Sequence, residues 1–491
     1  MVNGHNSRPA ERPILFVSVE KMLKSWFISA KCLNLQPTCK IKPLTKEISI
    51  FATMILDFTI SNFRSIKEPV TLSFEATPST HLEEYFVATI DKYRILKIAT
   101  ILGPNASGKS NVLRAFAMFP QLILSPVENK TNTIPYTRFA LDPESADKPS
   151  EMIINFLCDN KKYRYEVHFS PEAVTYELLD AHPFGELRSH RVFERTLDPE
   201  SMVSSIKWGS KYPNTAKGRD LLVNLLPNRT VFGSFQKSNI DIPWMKAIID
   251  WARSYILPIV KTSEQHLAEY TSKQIDREAI SKEQVTELMR RADVGVSGLV
   301  IEKRAKPLPL KLVDLILNDN EAPAELKATL REDPTSKSLT VKMAHAGSGG
   351  DVLFDFNEES NGTKRFYELS SILIKLTTQS HFVTIDELES KMHPDLYQHF
   401  LTTYLSNAGN SQMIFTTHIR EFLNDKDSFR DDCVWFTEKN DSGTTELYSL
   451  ADFGSDILRD STNRYKAYRS GRLGAIPRLG ATYINRSDNT K

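Results

Sequence analysis

Eight consecutive residues, Gly103-Pro104-Asn105-Ala106-Ser107-Gly108-Lys109-Ser110, have the types and spacing of a phosphate cradle, and Asn111 follows them directly. Glycines let the backbone approach an anion closely, and successive N–H groups opening a helix point at phosphate oxygens. Lys109 would reach the β- and γ-phosphates, and the Ser110 hydroxyl would ligate Mg²⁺. Two further groups suit that chemistry. Asp386-Glu387 ends an apolar run, so that Asp386 would hold the metal through water and Glu387 would polarise an attacking water. His418 ends a second apolar run and could hydrogen-bond the terminal phosphate. A Ser-x-Gly turn, Ser360-Asn361-Gly362-Thr363, precedes a helical stretch and has the form of a second phosphate cradle or of an ordinary N-cap.

Such groups need strands to deliver them. Ile95 to Leu102 predicts a strand feeding the glycine loop, with a helix over Asn111 to Met118 behind it. Phe382 to Ile385 and Met413 to Thr417 predict two more strands, with a helix over Asp395 to Leu405 between them. This βαβ order makes the strands parallel and brings Asp386, Glu387 and His418 to one sheet edge. Leu56, Phe58 and Ile60, then Val70, Leu72 and Phe74, alternate as two strands around the turn Ser61 to Ser65. An antiparallel meander follows over Met152 to Leu157, Tyr163 to Phe169, Val174 to Leu179 and His190 to Arg195. Trp244 to Ile259 and Lys282 to Arg291 carry helical spacing and Leu312 to Leu317 is apolar, predicting a helical insertion or lid. Strands resume near Leu339 to Met343 and Val352 to Phe356.

The expected fold is therefore α/β, a P-loop NTPase core of mixed sheet with an antiparallel β subdomain and an inserted helical lid. Expected boundaries are 1–53 for an N-terminal extension, 54–214 and 346–450 for the two halves of the head, 215–345 for the lid and 451–491 for a basic tail. Residues 1–53 differ in character from the rest, and Met54, which opens the first strand, is the expected biological start.

Asn62-Phe63-Arg64-Ser65, the Gly103 to Ser110 loop, Ser360 to Lys364, Ile385-Asp386-Glu387 and Thr417-His418 occur in an order that resembles the AAA-type, ABC-like ATPases of the RecF/SMC-like branch. Glu387 to Pro394 and Tyr468 to Pro477 make the chain most similar to stand-alone bacterial ATPases of the RloA or abortive-infection type. The resemblance covers about 54–480. It implies ATP and Mg²⁺ as ligands, and a homodimer or higher homo-oligomer with ATP between heads. It also implies Gly103 to Ser110, Asp386, Glu387 and His418 acting in cis, Ser360 to Thr363 in trans, and Arg64 near the nucleotide. Two features depart from the wider pattern. The signature reads Ser-Asn-Gly-Thr-Lys, and the loop Tyr136 to Leu141 offers no Q-loop glutamine.

The chain has 491 residues and a formal net charge of +1, so bulk charge argues for neither nucleic acid nor membrane. No apolar run approaches the roughly 18 residues needed to span a bilayer. Cys32, Cys39, Cys158 and Cys433 show no metal or disulfide spacing, which fits a reducing cytoplasm. Residues 464–486 carry Arg464, Lys466, Arg469, Arg472, Arg478 and Arg486 with no acid; the stretch would contact nucleic acid or a partner, or be a solvated basic tail, and Tyr465, Tyr468 and Tyr483 suggest packing as readily as base stacking. About 70 residues follow His418, too few for an appended nuclease domain, so the expected effector is separately encoded, with a nuclease as one form and anti-phage defence as the setting. Two alternatives remain open, a DNA-repair head binding DNA directly and an ATP-gated scaffold with little turnover.

Overall fold

The computed structural model of the protein describes residues 53–212, 216–262, 266–319, 322, 324–424, 427–454, 458, 462–477 and 480. The expected extension 1–53 thus lies outside the described residues but for its last, as do Arg478, Tyr483 and Arg486.

In chain order the first elements are β1 (Met54–Ser61), β2 (Val70–Ser73), β3 (Val87–Ile90), β4 (Tyr93–Leu96), β5 (Ile98–Leu102) and α1 (Lys109–Leu124). The meander follows as β6 (Ser150–Cys158), β7 (Lys161–Phe169), β8 (Val174–Pro183), β9 (His190–Asp198) and β10 (Val203–Trp208). Next come α2 (Val231–Gln236), α3 (Pro243–Tyr255), α4 (Leu267–Asp276), α5 (Lys282–Arg291), β11 (Val296–Pro307), α6 (Leu310–Asn318), α7 (Ala324–Glu332), β12 (Thr335–Gly347) and β13 (Gly350–Asp355). The last stretch holds α8 (Asn361–Thr378), β14 (Phe382–Ile385), α9 (Pro394–Asn407), β15 (Gln412–Thr416), β16 (Val434–Lys439), β17 (Thr445–Ser449) and α10 (Arg464–Arg469).

The fold is α/β with separate sheets. A five-stranded sheet runs β14-β15-β5-β16-β17, parallel except for β17. Every residue of β5, β14 and β15 is buried, Thr100, Thr384, Gln412 and Thr416 included, as expected for strands covered on both faces. A seven-stranded antiparallel sheet runs β10-β9-β8-β7-β6-β1-β2. Buried Gln412 joins the two sheets, accepting from Ile55 N–H at 2.7 Å and donating to Ile55 O at 2.9 Å. The aromatic stack Phe58–Phe116 (centroids 4.1 Å apart) and the Phe116–Phe382 contact seat α1 between them.

The meander carries a buried ion pair. Glu177 and Arg195 are both fully buried at 3.5 Å, and Glu177 also accepts from Tyr165 and Val231 while Arg195 donates to Ser204, Arg229 O and Pro227 O. Burial pushes the Glu177 carboxyl pKa up and the Arg195 guanidinium down, and these partners oppose both shifts. The network ties β8 and β9 to the start of α2.

Four expectations change in detail. The strand read over Ile95 to Leu102 is two strands, because the chain turns at Lys97 and β4 pairs with β3 while β5 joins the parallel sheet. The helix read over Trp244 to Ile259 ends at Tyr255; Leu257 and Val260 then donate to Phe382 O and Thr384 O, adding a parallel edge beside β14. Residues 215–345 are not helical alone, since β11 and β12 form a long antiparallel hairpin that continues into β13. The basic tail is packed: Ala467, Tyr468, Leu473 and Ala475 are buried in a second core with Leu102, Val434 and Phe436. Arg464 pairs with Asp431 at 2.8 Å, and Arg469 lies over the Tyr465 ring.

Candidate functional site

The glycine loop forms where β5 leaves the sheet. Gly103 packs so closely that a Cβ there would collide with the Thr437 carbonyl and the Ser107 hydroxyl. Gly108 has φ +112°, a left-handed conformation that strains L side chains, and a Cβ there would enter the Thr445 side chain. The loop is braced from the antiparallel edge. Ser107 Oγ and Thr437 Oγ1 lie 2.7 Å apart, and Thr445 Oγ1 donates to Ser107 O at 2.8 Å. Lys109 is 7% exposed and its ammonium curls back onto the Gly103 and Pro104 carbonyls, at 2.8 and 3.1 Å. Burial lowers its pKa, while the charges of Asp386, Glu387 and Glu389 act to raise it.

Asp386 and Glu387 stand at the C-terminal end of β14. Thr416 Oγ1 donates to Asp386 Oδ1 at 2.7 Å and accepts the Glu387 N–H at 2.7 Å, so the last residue of β15 fixes both acids. Glu387 has φ +49°, an uncommon conformation for a non-glycine residue, of the kind found where side-chain direction matters. His418 Nε2 lies 3.8 Å from Glu387 Oε1, with both side chains partly open. The structure thus brings Lys109, Asp386, Glu387 and His418 to one sheet edge.

Ser110 opens α1 on the same edge. Its hydroxyl and the Asp386 carboxylate are hard oxygen donors, the class that suits Mg²⁺. Residues Gly103, Pro104, Asn105, Ala106 and Ser107 line a cavity of about 630 Å³ with Thr417, His418 and Arg420, and Tyr468, Ile476 and Pro477 of the tail close its far wall.

Arg64 lies in the turn after β1, with Arg64 N–H bonded to Thr137 O. Its neighbour Ser65 accepts from Asn111 Nδ2 at 2.7 Å, and its hydroxyl lies 2.8 Å from Thr445 Oγ1, which pins the turn to the start of α1. The Arg64 Nε is buried without an acceptor among the described residues, and burial and nearby Arg114 both lower the guanidinium pKa. Two cations held together in this way suit an anion.

Ser360 caps α8, its Oγ accepting from Thr363 N–H at 3.1 Å and lying 2.8 Å from Thr363 Oγ1. Ser360, Gly362 and Thr363 line a different cavity, with Arg291, His393 and His399, and are not brought to the Gly103 to Ser110 loop within one chain.

Two participants escape sequence reasoning. Thr262, just past the 256–260 edge, donates to Glu387 Oε2 at 3.2 Å. Glu389 accepts the His418 N–H at 2.7 Å. The Asp-Glu-Leu-Glu run was the only available signal for Glu389, and nothing in the local pattern marks Thr262.

Residues 98–212 and 257–424 match the family model described as "AAA domain, putative AbiEii toxin, Type IV TA system". No curated protein matches the chain. Similar solved structures include "SmcHead bound to the C-winged helix domain of ScpA" (13% identity, 80% of this chain and 97% of that one, TM-score 0.38). Another is the "SMC head domain from Thermotoga maritima" (13% identity, 80% and 98%, TM-score 0.30). A third is the Smc head domain with an extended coiled coil bound to the C-terminal domain of ScpA, derived from Pyrococcus furiosus (14% identity, 86% and 99%, TM-score 0.33).

Proposed function

Because the chain belongs to the family described as "AAA domain, putative AbiEii toxin, Type IV TA system", we propose that this nucleotide-binding ATPase hydrolyses ATP between two copies of itself and so controls a separately encoded effector. The observation that carries the proposal is that the parallel strands β14, β15 and β5 bring Asp386, Glu387, His418 and the loop that holds Lys109 to one sheet edge.

In this reading the N–H groups from Gly103 to Asn111 take the phosphates, and Lys109 exchanges two loop carbonyls for phosphate oxygens. Glu387 orients and deprotonates the attacking water, held by Thr262 and by its own backbone conformation. His418 donates to the terminal phosphate and so distinguishes triphosphate from diphosphate. Ser110 and Asp386 hold Mg²⁺, which when bound supplies neutralisation of the phosphate oxygens. Arg64 lies near the nucleotide and neutralises phosphate charge.

The separation of Ser360, Gly362 and Thr363 from the loop supports their use on a second copy's ATP, because one head has no cradle left for them to complete. The toxin named in the family description supports a defence setting, with a nuclease as the proposed effector class. Direct nucleic-acid binding through the tail is the weaker reading, since Arg464 and Arg469 are engaged within the chain.

Titration with ATP and Mg²⁺ tests the site. Wild type binds ATP and releases phosphate, whereas Lys109→Ala loses both by about 100-fold or more, the scale of a charge-assisted phosphate contact in a partly buried site. Equal binding and turnover in the two proteins would overturn the assignment.

A further inference from the structure

We propose that Glu389 is a positioning residue for this ATPase, holding His418 in register with Glu387. The inference rests on the function proposed above and adds a residue to it.

The geometry begins with a strand that ends. β15 stops at Thr416; the Thr417 N–H still donates to Ile101 O of β5 at 3.2 Å, and the His418 N–H leaves the sheet ladder. The acid loop after β14 supplies replacements in step. Glu387 N–H donates to Thr416 Oγ1, Leu388 N–H donates to Thr416 O at 3.1 Å, and Glu389 Oε1 accepts the His418 N–H at 2.7 Å. Three successive residues of one loop are thereby laced to the end of the neighbouring strand. Positive φ at Glu387 (49°) and Lys391 (67°) turns the loop back on itself, which lets the Glu389 side chain return toward β15. The Glu389 bond fixes the main chain at His418 itself, between the Thr417 N–H, which donates to Ile101 O, and the Ile419 N–H, which donates to Thr417 Oγ1 at 3.1 Å.

A second observation separates Glu389 from an ordinary cap. Its Oε2 is buried and has no donor among the described residues. Leaving one carboxylate oxygen unsatisfied is costly, and such groups are retained where something other than stability selects them. The Glu389 charge also reaches the site, acting to raise the pKa of Lys109. A carboxylate that bonds the His418 main chain from the loop that also carries Glu387 links the phosphate-reading residue to the hydrolytic acid.

The acceptor oxygen is the working feature, which Glu389→Gln keeps and Glu389→Ala removes. ATP turnover and ATP affinity are measured for wild type, both variants, His418→Ala and the double variant Glu389→Ala/His418→Ala. The expected result is a fall in kcat of about tenfold for Glu389→Ala with ATP affinity within about twofold, and retention of most activity in Glu389→Gln. In the His418→Ala background, Glu389→Ala costs no further activity, because both changes remove one function. Additive losses, equal loss in Gln and Ala, or a matching loss of ATP affinity would overturn the assignment.

If wild type itself lacks turnover, the ATPase reading fails and the link is read without catalysis. In ¹⁵N-histidine-labelled protein, the His418 ring signal, identified by its absence in His418→Gln, shifts in Glu389→Ala and stays in place in Glu389→Gln. An unmoved signal in both variants overturns the link.

Discussion

Glu387 is held from three directions: Thr416 takes its N–H, Thr262 donates to its carboxylate and His418 stands 3.8 Å away. Thr262→Val keeps the side-chain shape and deletes the donor. We expect kcat to fall about three- to tenfold with ATP affinity unchanged, the size of one hydrogen bond to a charged group; steady-state kinetics beside equilibrium binding reads the split. Gly108→Ala has a different signature. Its Cβ would displace Thr445, which braces both Ser107 and Ser65, so ATP binding itself is lost in a protein that still folds, as titration and circular dichroism together would show. The phosphate loop and the acid pair were legible in the sequence because their chemistry is local, with every group within a few residues of a strand end. Thr262 was not, because its role exists only once residues 256–260 pair with β14, and helical spacing across Trp244 to Ile259 hid that pairing.

At the scale of elements, the tail and the inserted arm were the least legible parts. Residues 462–477 have no regular period, and their arginines suggested a solvated surface. The aromatic and small residues between them instead build a core against β16. Tyr468 stacks on Phe436 with centroids 5.5 Å apart, Tyr448 donates to Leu473 O, and Ala475 N–H donates to Glu438. Leu102, the residue before the phosphate loop, lies in that same core. Leu473→Ala should therefore cost about 2–4 kcal/mol of stability, as for other buried leucines, and weaken ATP binding as well. Denaturant unfolding with and without ATP measures both effects. β11 was missed because Glu302, Lys303 and Arg304 interrupt its apolar alternation, which is acceptable in a hairpin with open faces. By contrast β14, β15 and α5 were readable nearly to the residue, since apolar runs mark the strands and helical spacing marks α5, which the structure opens with a Ser281 capping box.

Across the whole molecule, one buried pair sets stability apart from activity. Removing the Glu177 carboxylate leaves Arg195 charged and enclosed, so Glu177→Ala should cost about 3–5 kcal/mol without contact with the site. His399, beside Phe366, has its pKa pushed below the ordinary 6.5 by burial and then by Arg291. The unfolded chain therefore takes up that proton more readily than the folded one. Its contribution to stability is present above pH 6.5 and is lost as pH falls through the folded value. Melting temperatures at pH 7.5 and 5.5 should fall less steeply in His399→Leu than in wild type. The central claim concerns how heads meet. In the proposed account the separate cavity at Ser360 to Thr363 serves the ATP of a second copy, and hydrolysis at Glu387 separates the two. The direct measurement is ATP turnover and molecular mass of wild type and Glu387→Gln, with and without ATP and Mg²⁺. The account predicts turnover by wild type alone and an ATP-dependent doubling of mass that persists in Glu387→Gln. Absence of turnover in both proteins, with mass indifferent to nucleotide, would contradict it.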